Sequence, residues 1–487
     1  MSAEQLHTLS LHAAARLLRN REISSRELTA DCLKRIEQVE PQLRALITVC
    51  ADQAMAQASE ADRVLLAGDG APLTGIPFVA KDLLCTRGVR TTCASRMLEN
   101  FIPPYDATVI ARLRAQHAVM LGKSNMDEFA MGSSTEQSAF FPTRNPWNLD
   151  CVPGGSSGGS AAALAADEAL FSIGSDSGGS IRQPAAFCGV VGLKPTYGRV
   201  SRYGAVAFAS SLDQVGPLSK DVRDCALIMN VISGQCPHDS TSAPVPVPDF
   251  TSFLDGQVRG LRIGVPREYF VPALQPEVRD SVEHAITLLE HMGASIDRDL
   301  SLPATRYAMA AYYIIAPAEA SANLARFDGV RYGFARRLAS NEESVTATRD
   351  EGFGPEVKRR IMLGTHVLSS GYYDAYYVKA QKVRHLINEE FKRAFAEHDV
   401  LAMPTSLTAA FPLGSKVSDP MQMYLNDLFT LPGNIAGIPG ISLPCGFVDG
   451  LPIGLQLMAD HFREDLLLKV GHAYEQATDW SRQRPTL

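Results

Sequence analysis

Two stretches rich in serine and glycine are the places where this chain is best equipped to do chemistry. Gly154–Ser160 reads GGSSGGS, and Gly174–Ser180 reads GSDSGGS, which matches the first stretch at five of seven positions. A serine hydroxyl can attack a carbonyl carbon, and glycines let backbone N–H groups approach the negative charge that then develops on oxygen. The residue types therefore predict a nucleophilic serine site.

The sequence disfavours two other interpretations of these loops. A flexible linker would continue as low-complexity sequence, whereas both stretches return at once to apolar sequence. A phosphate-binding loop would show G-x-x-x-x-G-K-[ST] or G-x-G-x-x-G, and neither pattern occurs in the two loops.

A nucleophilic serine needs a base, which is usually a histidine and can be a lysine. No histidine lies between His117 and His238, so a serine–histidine pair would need a histidine that is distant in sequence. Lys81 follows the apolar run Ile76–Ala80. At the end of a buried strand its amine would lose hydration, which lowers its pKa and makes the neutral base available. The same spacing also fits an exposed lysine beside Asp82, and the pattern alone does not separate the two.

Short apolar runs and helical stretches alternate around these residues. Strands are predicted over Gly75–Asp82, His117–Asn125 and Ala169–Asp176, and helices over Ala107–Gln116 and Ser160–Ala166. Such alternation favours an α/β sheet that is buried on both faces, with active residues where strands end in loops.

The N-terminal part is predicted to be helical. Ser24 and Glu27 form a capping-box pattern. The helix that it opens is predicted to stop before Pro41, and a second helix is predicted from Gln42 to Leu66.

Near the C-terminus, two strand-like runs flank the hairpin signal Val448–Pro452. Because strands recur after the mostly helical residues 304–398, we predict one sheet with a helical insertion rather than independent domains. The predicted single domain, 1–487, comprises N-terminal helices (1–66), a catalytic Ser/Gly core (67–237), a proline-rich excursion (238–260), a mostly helical insertion (261–400) and a return to the sheet (401–487).

The composition is that of an ordinary globular enzyme. The chain has 487 residues, 46% hydrophobic and 20% charged, and a formal net charge of −7. This balance gives no basic field for direct nucleic-acid binding, although an RNA could be reached through another subunit. We find no secretory signal in the first twenty residues and no apolar run near the about 20 residues that span a bilayer, so we expect a cytoplasmic protein without a membrane partner.

The nine cysteines are scattered and include no C-x-x-C pair. This distribution favours reduced thiols over a disulfide framework. No His or Cys cluster has the spacing of zinc ligands, and we therefore expect no metal site.

Taken together, these motifs resemble the amidase signature family. The resemblance consists of GGSSGGS, then GSDSGGSIRQPA 20 residues later, with an upstream lysine in PFVAKD, and it extends over nearly the whole chain. It implies an α/β amidase-signature fold, with a large mixed β-sheet core flanked by α-helices on both faces and a helical insertion. Four stretches are similar to one branch of the family, the glutamine-hydrolysing subunits of tRNA-dependent amidotransferases: Asn125–Glu136, Val200–Pro217, Glu351–Thr365 and Met423–Gly446.

The resemblance implies a Ser-Ser-Lys triad. Ser180 would be the nucleophile, Ser156 the bridging serine, which follows a cis peptide bond, and Lys81 the base. The oxyanion hole would comprise the backbone N–H groups of Ser177, Gly178 and Gly179. Ser177 stands where the family usually has threonine, and because the backbone does the work we expect this to affect only local packing.

The resemblance also implies a pocket for free glutamine. Arg360 would pair with the α-carboxylate and Asp427 with the α-ammonium group. The pocket around the amide would include Gly132, Ser133 and Tyr312. Taken alone, Arg360 fits a solvated helix face, Asp427 a turn or cap, and Tyr312 core packing.

For the branch, the implied activity is that of a glutaminase in a heterotrimer whose other members are the B and C subunits of the amidotransferase. The ammonia would convert Glu-tRNA(Gln) and/or Asp-tRNA(Asn) to Gln-tRNA(Gln) or Asn-tRNA(Asn). The B subunit would bind the misacylated tRNA and use ATP and Mg²⁺, the C subunit would join the other two, and this chain would need no cofactor. The alternatives are a stand-alone hydrolase of small amides from the same family and a nucleotide-binding or scaffold protein with inert serine loops.

Overall fold

A mixed sheet of eleven strands forms the centre of the computed structural model, which describes residues 5–487. The first four residues of the segment tested for a secretory signal lie outside the described residues. In chain order the strands are β1 (Leu46–Val49), β2 (Pro77–Lys81), β3 (Val119–Ser124), β4 (Phe171–Asp176), β5 (Val191–Lys194), β6 (Gln214–Ser219), β7 (Arg262–Gly264), β8 (Ser295–Asp297), β9 (Val400–Pro404), β10 (Gly440–Val448) and β11 (Leu451–Met458).

The strand order is β1-β3-β2-β4-β6-β5-β10-β11-β9-β7-β8. The pairs β2/β3, β2/β4, β7/β8 and β7/β9 are parallel, and the other neighbouring pairs are antiparallel. The hairpin predicted at Val448–Pro452 is confirmed, since β10 and β11 pair across it.

Fifteen α-helices accompany the sheet in the described part of the chain. They are α1 (Leu11–Arg19), α2 (Ser25–Leu43), α3 (Ala51–Ala67), α4 (Thr108–Ala115), α5 (Gly158–Ala165), α6 (Arg182–Cys188), α7 (Val222–Ile232), α8 (Pro276–His291), α9 (Ala308–Asn323), α10 (Asn341–Gly352), α11 (Pro355–Val367), α12 (Lys379–Glu397), α13 (Pro420–Tyr424), α14 (Leu431–Ala436) and α15 (Glu464–Gln476). Every residue of β2, β3, β4 and β6 is buried, which requires cover on both faces of the sheet. The predicted fold class, with its helical insertion, is confirmed, whereas the division into segments stays a prediction.

The parallel pairing of β2 with β4 brings Lys81 to the serine loops. Phe78 lies opposite Phe171, and Ala80 lies opposite Ile173. Lys81, the last residue of β2, therefore comes beside the end of β4, where the chain enters the loop that carries Ser180. The first serine loop precedes α5, which packs on β2 and β4.

Two predictions for the N-terminal region were wrong. The capping box of Ser24 is present, but α2 continues through Pro41 to Leu43. Proline in the last turn removes only one helical hydrogen bond, and the left-handed conformation of Arg44 ends the helix instead. The second helix begins only at Ala51, because residues 46–49 pair as an edge strand with β3.

Candidate active site

Lys81 lies in a buried cluster of hydroxyl groups. Its Nζ is 2.7 Å from Ser156 Oγ, 2.8 Å from Ser157 Oγ and 2.9 Å from Ser175 Oγ. The lysine side chain is fully buried, so the exposed alternative that the sequence left open is excluded. These four side chains come from the end of β2, the first serine loop and the end of β4.

Burial changes the acid–base chemistry of this lysine. Desolvation lowers the pKa of Lys81 from 10.5 to about 7, although Asp127 and Asp176 favour the charged form. No carboxylate lies within salt-bridge distance of Nζ in the described part of the chain. A large fraction of the amine is therefore neutral near pH 7, as a general base requires.

Ser180 lies next to this cluster, but its hydroxyl makes no hydrogen bond to it. Ser157 N–H donates to the Ser180 carbonyl at 3.1 Å, which ties the two serine loops together. The Ser180 hydroxyl makes no hydrogen bond within residues 5–487 and is 8% exposed. The Gly155–Ser156 peptide bond is cis, as the resemblance implied.

A buried ion pair fixes the loop that leads to Ser180. Asp176 accepts a hydrogen bond from Arg182 Nε at 3.0 Å, and neither side chain is exposed. Although desolvation opposes it, the charge of Arg182 lowers the pKa of Asp176 to about 2. The arginine also donates to Gln456 Oε1 and Asn434 Oδ1, from β11 and α14. The ion pair therefore positions the loop without touching the reacting atoms.

The oxyanion hole implied by the resemblance needs one correction. The Gly179 N–H donates to Asp176 Oδ1 at 2.8 Å and is not available for an oxyanion in this arrangement. Ser177 and Gly178 have N–H groups without an acceptor among the described residues. Gly179 is nevertheless required, because its φ is +142° and an added Cβ would lie 2.2 Å from Thr430 Oγ1. The candidate donors are therefore Ser177 and Gly178.

Sequence reasoning missed Asp213, which holds the oxyanion loop from the side. The Ser177 hydroxyl donates to Asp213 Oδ1 at 2.6 Å, and the N–H groups of Phe208 and Ala209 donate to the same carboxylate. Burial raises the pKa of Asp213 to about 6, although these hydrogen bonds oppose the shift. Asp213 lies in Val200–Pro217, one of the stretches similar to the amidotransferase branch, and this position could have indicated a role at the site.

Arg360 is buried on α11 and is held in an aromatic cage. Its Nε donates to Glu356 Oε1 at 2.8 Å, which is an i,i+4 pair that the sequence spacing could have indicated. The guanidinium carbon lies 5.4–5.6 Å from the ring centres of Phe208, Tyr313 and Tyr424. Burial opposes the charge, but Glu356 and the tyrosines raise the pKa of Arg360. The solvated-surface alternative is excluded, and the arrangement suits binding of an anion.

Asp427 lies beside the nucleophile loop, where a Cβ on Gly179 would be 3.3 Å from its Oδ1. Ser133 Oγ makes a short hydrogen bond to Asp427 Oδ2, whereas Oδ1 is buried without a partner among the described residues. Burial raises the pKa of Asp427 to about 7. Gly132, the neighbour of Ser133, packs so closely on Asp127 that a Cβ would lie 2.4 Å from it. An incoming cation would satisfy the unpaired oxygen and favour the carboxylate.

Two neighbouring tyrosines connect the nucleophile loop with the surroundings of Arg360. Tyr312 contacts the loop, since a Cβ on Gly178 would lie 2.8 Å from its hydroxyl. Tyr313, which sequence reasoning missed, has a buried hydroxyl with no partner within residues 5–487 and stacks on Tyr424 at 3.9 Å. An unpaired buried hydroxyl is costly, so it marks a place where a ligand group fits.

One cluster in the described residues has spacing that could hold a metal ion: His12, Asp221 and Asp224. It lies outside the serine site, and helix capping accounts for it. Asp224 accepts from the N–H groups of Leu11 and His12 at the start of α1, and Asp221 caps α7.

Within residues 5–487, no helix is both long and apolar enough to cross a membrane. All nine cysteines are free, as expected.

Fold and site together fit the class of serine hydrolases in which a buried lysine is the candidate base in place of histidine. The family model described as Amidase matches residues 27–468, and the chain belongs to this family. The chain is 60% identical over 482 residues to the A subunit of the glutamyl-tRNA(Gln) amidotransferase of Roseiflexus sp., covering 99% of both. It is 57% identical over 480 residues to the protein of the same name from Dehalococcoides mccartyi, covering 98% of this chain and 99% of that one.

Solved structures agree with this assignment. The crystal structure of the A subunit of glutamyl-tRNA(Gln) amidotransferase from Thermotoga maritima is 42% identical, with a TM-score of 0.81, and 97% of this chain and 95% of that one are covered. A peptide amidase in complex with the competitive inhibitor chymostatin is 32% identical, with a TM-score of 0.86, covering 100% of this chain and 99% of that one. The predicted amidase-signature fold is thereby confirmed.

Proposed function

We propose that this chain is the glutamine-hydrolysing A subunit of a tRNA-dependent amidotransferase. The observation that supports this most strongly is the presence of a buried guanidinium, that of Arg360, and a buried carboxyl group, that of Asp427, which lies beside the nucleophile loop. Glutamine presents an α-carboxylate and an α-ammonium group at one end and an amide at the other. The identity of 57–60% to proteins that carry the name of this subunit supports the same conclusion.

In the proposed first step, Ser180 attacks the side-chain amide of glutamine. Neutral Lys81 accepts the proton of the Ser180 hydroxyl through Ser156, with which it is already in contact at 2.7 Å. The N–H groups of Ser177 and Gly178 bind the oxyanion of the tetrahedral intermediate. Each such donor contributes about 3–4 kcal/mol in other hydrolases, so two free donors suit this role.

The intermediate then collapses to a glutamyl ester of Ser180 and ammonia. The protonated lysine returns its proton through Ser156 to the leaving nitrogen, so the same relay serves first as base and then as acid. In the second half, water attacks the ester and releases glutamate. Because the chemistry uses only side chains and backbone N–H groups, we propose that this chain needs no cofactor and no metal.

We propose that the ammonia passes to a partner protein in a cytoplasmic heterotrimer. The B subunit would bind the misacylated tRNA and activate its glutamyl or aspartyl carboxylate with ATP and Mg²⁺, and the C subunit would join this chain to it. The net charge of −7 suits a chain that reaches tRNA through its partner.

A stand-alone amidase acting on other small amides is the second candidate, since a peptide amidase shares the fold. A substrate without amino-acid charges would offer no partner to the remaining N–H groups of Arg360 or to the unpaired Oδ1 of Asp427. Such unpaired charges cost affinity, which favours glutamine.

The test measures ammonia release from glutamine by the purified chain, alone and with the B and C subunits, ATP and misacylated tRNA. We expect slow release by the chain alone and a marked increase in the full mixture, with the Ser180→Ala protein as blank. Fast release that partners do not change would point to the stand-alone amidase. The absence of ammonia release in every mixture would refute the proposed enzymatic activity.

The kcat of glutamine hydrolysis should rise with pH up to about 7 and then level off. Lys81 acts as a base only when its amine is neutral. Burial in the folded chain lowers the pKa of this amine from its usual 10.5 to about 7. The kcat is therefore retained above about pH 7, and it falls roughly tenfold for each pH unit below that value. Steady-state rates at saturating glutamine would show this; a flat kcat between about pH 5.5 and 7 would contradict Lys81 as the base.

Arg360→Lys should raise KM for glutamine by about 10–100-fold and change kcat little. Lysine keeps a positive charge beside Glu356 but loses the two parallel hydrogen bonds to a carboxylate, a loss of about 1.4–3 kcal/mol. Arg359→Lys is the matched control, since Arg359 is its exposed neighbour and pairs with the same glutamate. We expect a change of less than about twofold there. Equal effects of the two substitutions on KM would disprove the carboxylate assignment.

A further inference from the structure

Gln183 is a buried side-chain amide that contacts two separate parts of the candidate site. It lies in the first turn of α6 and is not exposed. Its Nε2 donates to the Ser133 carbonyl at 3.2 Å, and its Oε1 accepts from the Gly155 N–H at 2.9 Å. One side chain therefore joins the segment that reaches Asp427 to the loop that carries Ser156.

The Nε2 contact leads to the carboxyl group that we propose for the ammonium end of the substrate. The hydroxyl of Ser133 makes a short hydrogen bond to Asp427 Oδ2, and the carbonyl of the same serine accepts from Gln183. Oδ1 of Asp427 is buried and has no partner in the described part of the chain. An ammonium group that binds this oxygen is therefore connected to Gln183 through one residue, Ser133.

The Oε1 contact leads to the hydroxyl cluster around Lys81. Gly155 directly precedes Ser156, whose Oγ lies 2.7 Å from Lys81 Nζ. Among residues 5–487, the Gly155 N–H has no acceptor other than Gln183, and a buried donor without a partner is costly. The amide is also closely packed, because a Cβ on Gly154 would lie 2.5 Å from its Oε1. The placement of Ser156 therefore depends on this amide.

Two other contacts hold the same segments together. Thr135 Oγ1 donates to the Gly154 carbonyl at 2.8 Å, and Asp127 Oδ2 packs where a Cβ on Gly155 would lie 2.2 Å away. Neither contact involves the amide of Gln183, so both remain when this residue is replaced. Gln183 differs from the other two residues because it lies on α6, directly after the oxyanion loop.

We infer that Gln183 is a positioning residue that transmits the binding of the substrate's ammonium group at Asp427 to the bridging serine, Ser156. This inference rests on the proposed function, which supplies glutamine as the substrate. Binding energy from a part of the substrate that does not react can be used to orient the groups that do react. The two hydrogen bonds of Gln183 are the connection through which the ammonium end of glutamine acts on Ser156 and Lys81.

The test compares glutamine with glutaramate, in which hydrogen replaces the α-ammonium group, and measures ammonia release in the full mixture with the B and C subunits. In the wild-type chain we expect a larger kcat for glutamine. Gln183→Met keeps nearly the length of the side chain but removes both hydrogen bonds of the amide. We expect this substitution to lower the ratio of the two kcat values by at least about tenfold, because the ammonium group no longer acts on Ser156.

Asn230→Leu is the matched control for the loss of an amide. Asn230 lies on α7, and its amide likewise accepts from one backbone N–H, that of Phe250, and donates once, to Asp249. We expect the wild-type ratio of kcat values there. If Gln183→Met does not fold, Gln183→Glu replaces it, since a carboxylate still accepts from a backbone N–H but cannot donate to a carbonyl. The same fall in the ratio is expected.

A lower kcat ratio in Gln183→Met, together with the wild-type ratio in Asn230→Leu, would establish the link between the two parts of the site. Equal losses of kcat for both substrates would overturn it, since Gln183 would then support the loop whatever the substrate. Equal kcat values for both substrates in the wild-type chain would also overturn it and would leave the proposed function intact. If the wild-type mixture releases ammonia from neither substrate, the proposed function fails and this inference fails with it.

Discussion

Ser180→Ala is expected to lower the kcat of glutamine hydrolysis by roughly 10⁶-fold, the size of loss seen when a hydrolase loses its nucleophilic serine. The hydroxyl is free of hydrogen bonds in the described part of the chain, so its removal breaks none. The free energy of unfolding should therefore change little, and the substitution should affect only the rate of the chemical step. Two measurements check this: ammonia release over long incubations, and intact mass after incubation with an electrophilic glutamine analogue.

The last serine of the first loop provides a matched control for this substitution. Ser160 occupies the position in GGSSGGS that Ser180 occupies in GSDSGGS, but it lies on α5 and bonds to Ser124 Oγ at 2.7 Å. Ser160→Ala should cost about 1 kcal/mol of stability and keep its reaction with the analogue. A Ser180→Ala protein that still gains the mass of the analogue would show that another residue is the nucleophile.

Ser156→Ala and Ser157→Ala should differ sharply, although both serines contact Lys81 at nearly the same distance. Their Oγ atoms lie 2.7 and 2.8 Å from Nζ. If Ser156 alone carries the proton to and from Ser180, its removal should lower kcat by about 10²–10⁴-fold, the usual contribution of general acid–base catalysis. Ser157 positions the amine of Lys81, and its hydroxyl donates to the Ser175 carbonyl. Its removal should therefore lower kcat by about tenfold or less.

Steady-state kinetics on both variants, with melting temperatures as a control for folding, would decide between the two serines. A larger loss of kcat for Ser157→Ala would move the bridging role to that residue. Equal losses would mean that Lys81 is held by the whole hydroxyl cluster and that no single serine relays the proton.

Several features of the site could be predicted because they depend on local sequence. The two serine loops and the strand that ends at Lys81 have short-range patterns, and the strand ends do meet at the loops. Residue by residue, the family resemblance then supplied Arg360 and Asp427, which the structure finds buried, with Asp427 beside the nucleophile loop.

Other features could not be predicted because they depend on contacts between distant segments. The Gly179 N–H is taken by Asp176, which is itself oriented by Arg182 and Asn434. Residues 46–49 form a strand rather than a helix because β3 offers them an edge. Pattern and propensity describe a segment alone, and tertiary pairing can outweigh both.

The sequence by itself therefore determined which residues could do chemistry, namely two serine loops and a lysine at a strand end, and the family resemblance added Arg360 and Asp427. Only the tertiary structure decided which of the open alternatives holds. Lys81 is a buried amine with a lowered pKa and not a surface charge, because burial removes the water that would stabilise its ammonium form. Arg360 is a buried cation and not a solvated one because three aromatic rings from separate segments enclose it. Both facts depend on desolvation, which arises only when segments far apart in the chain pack together.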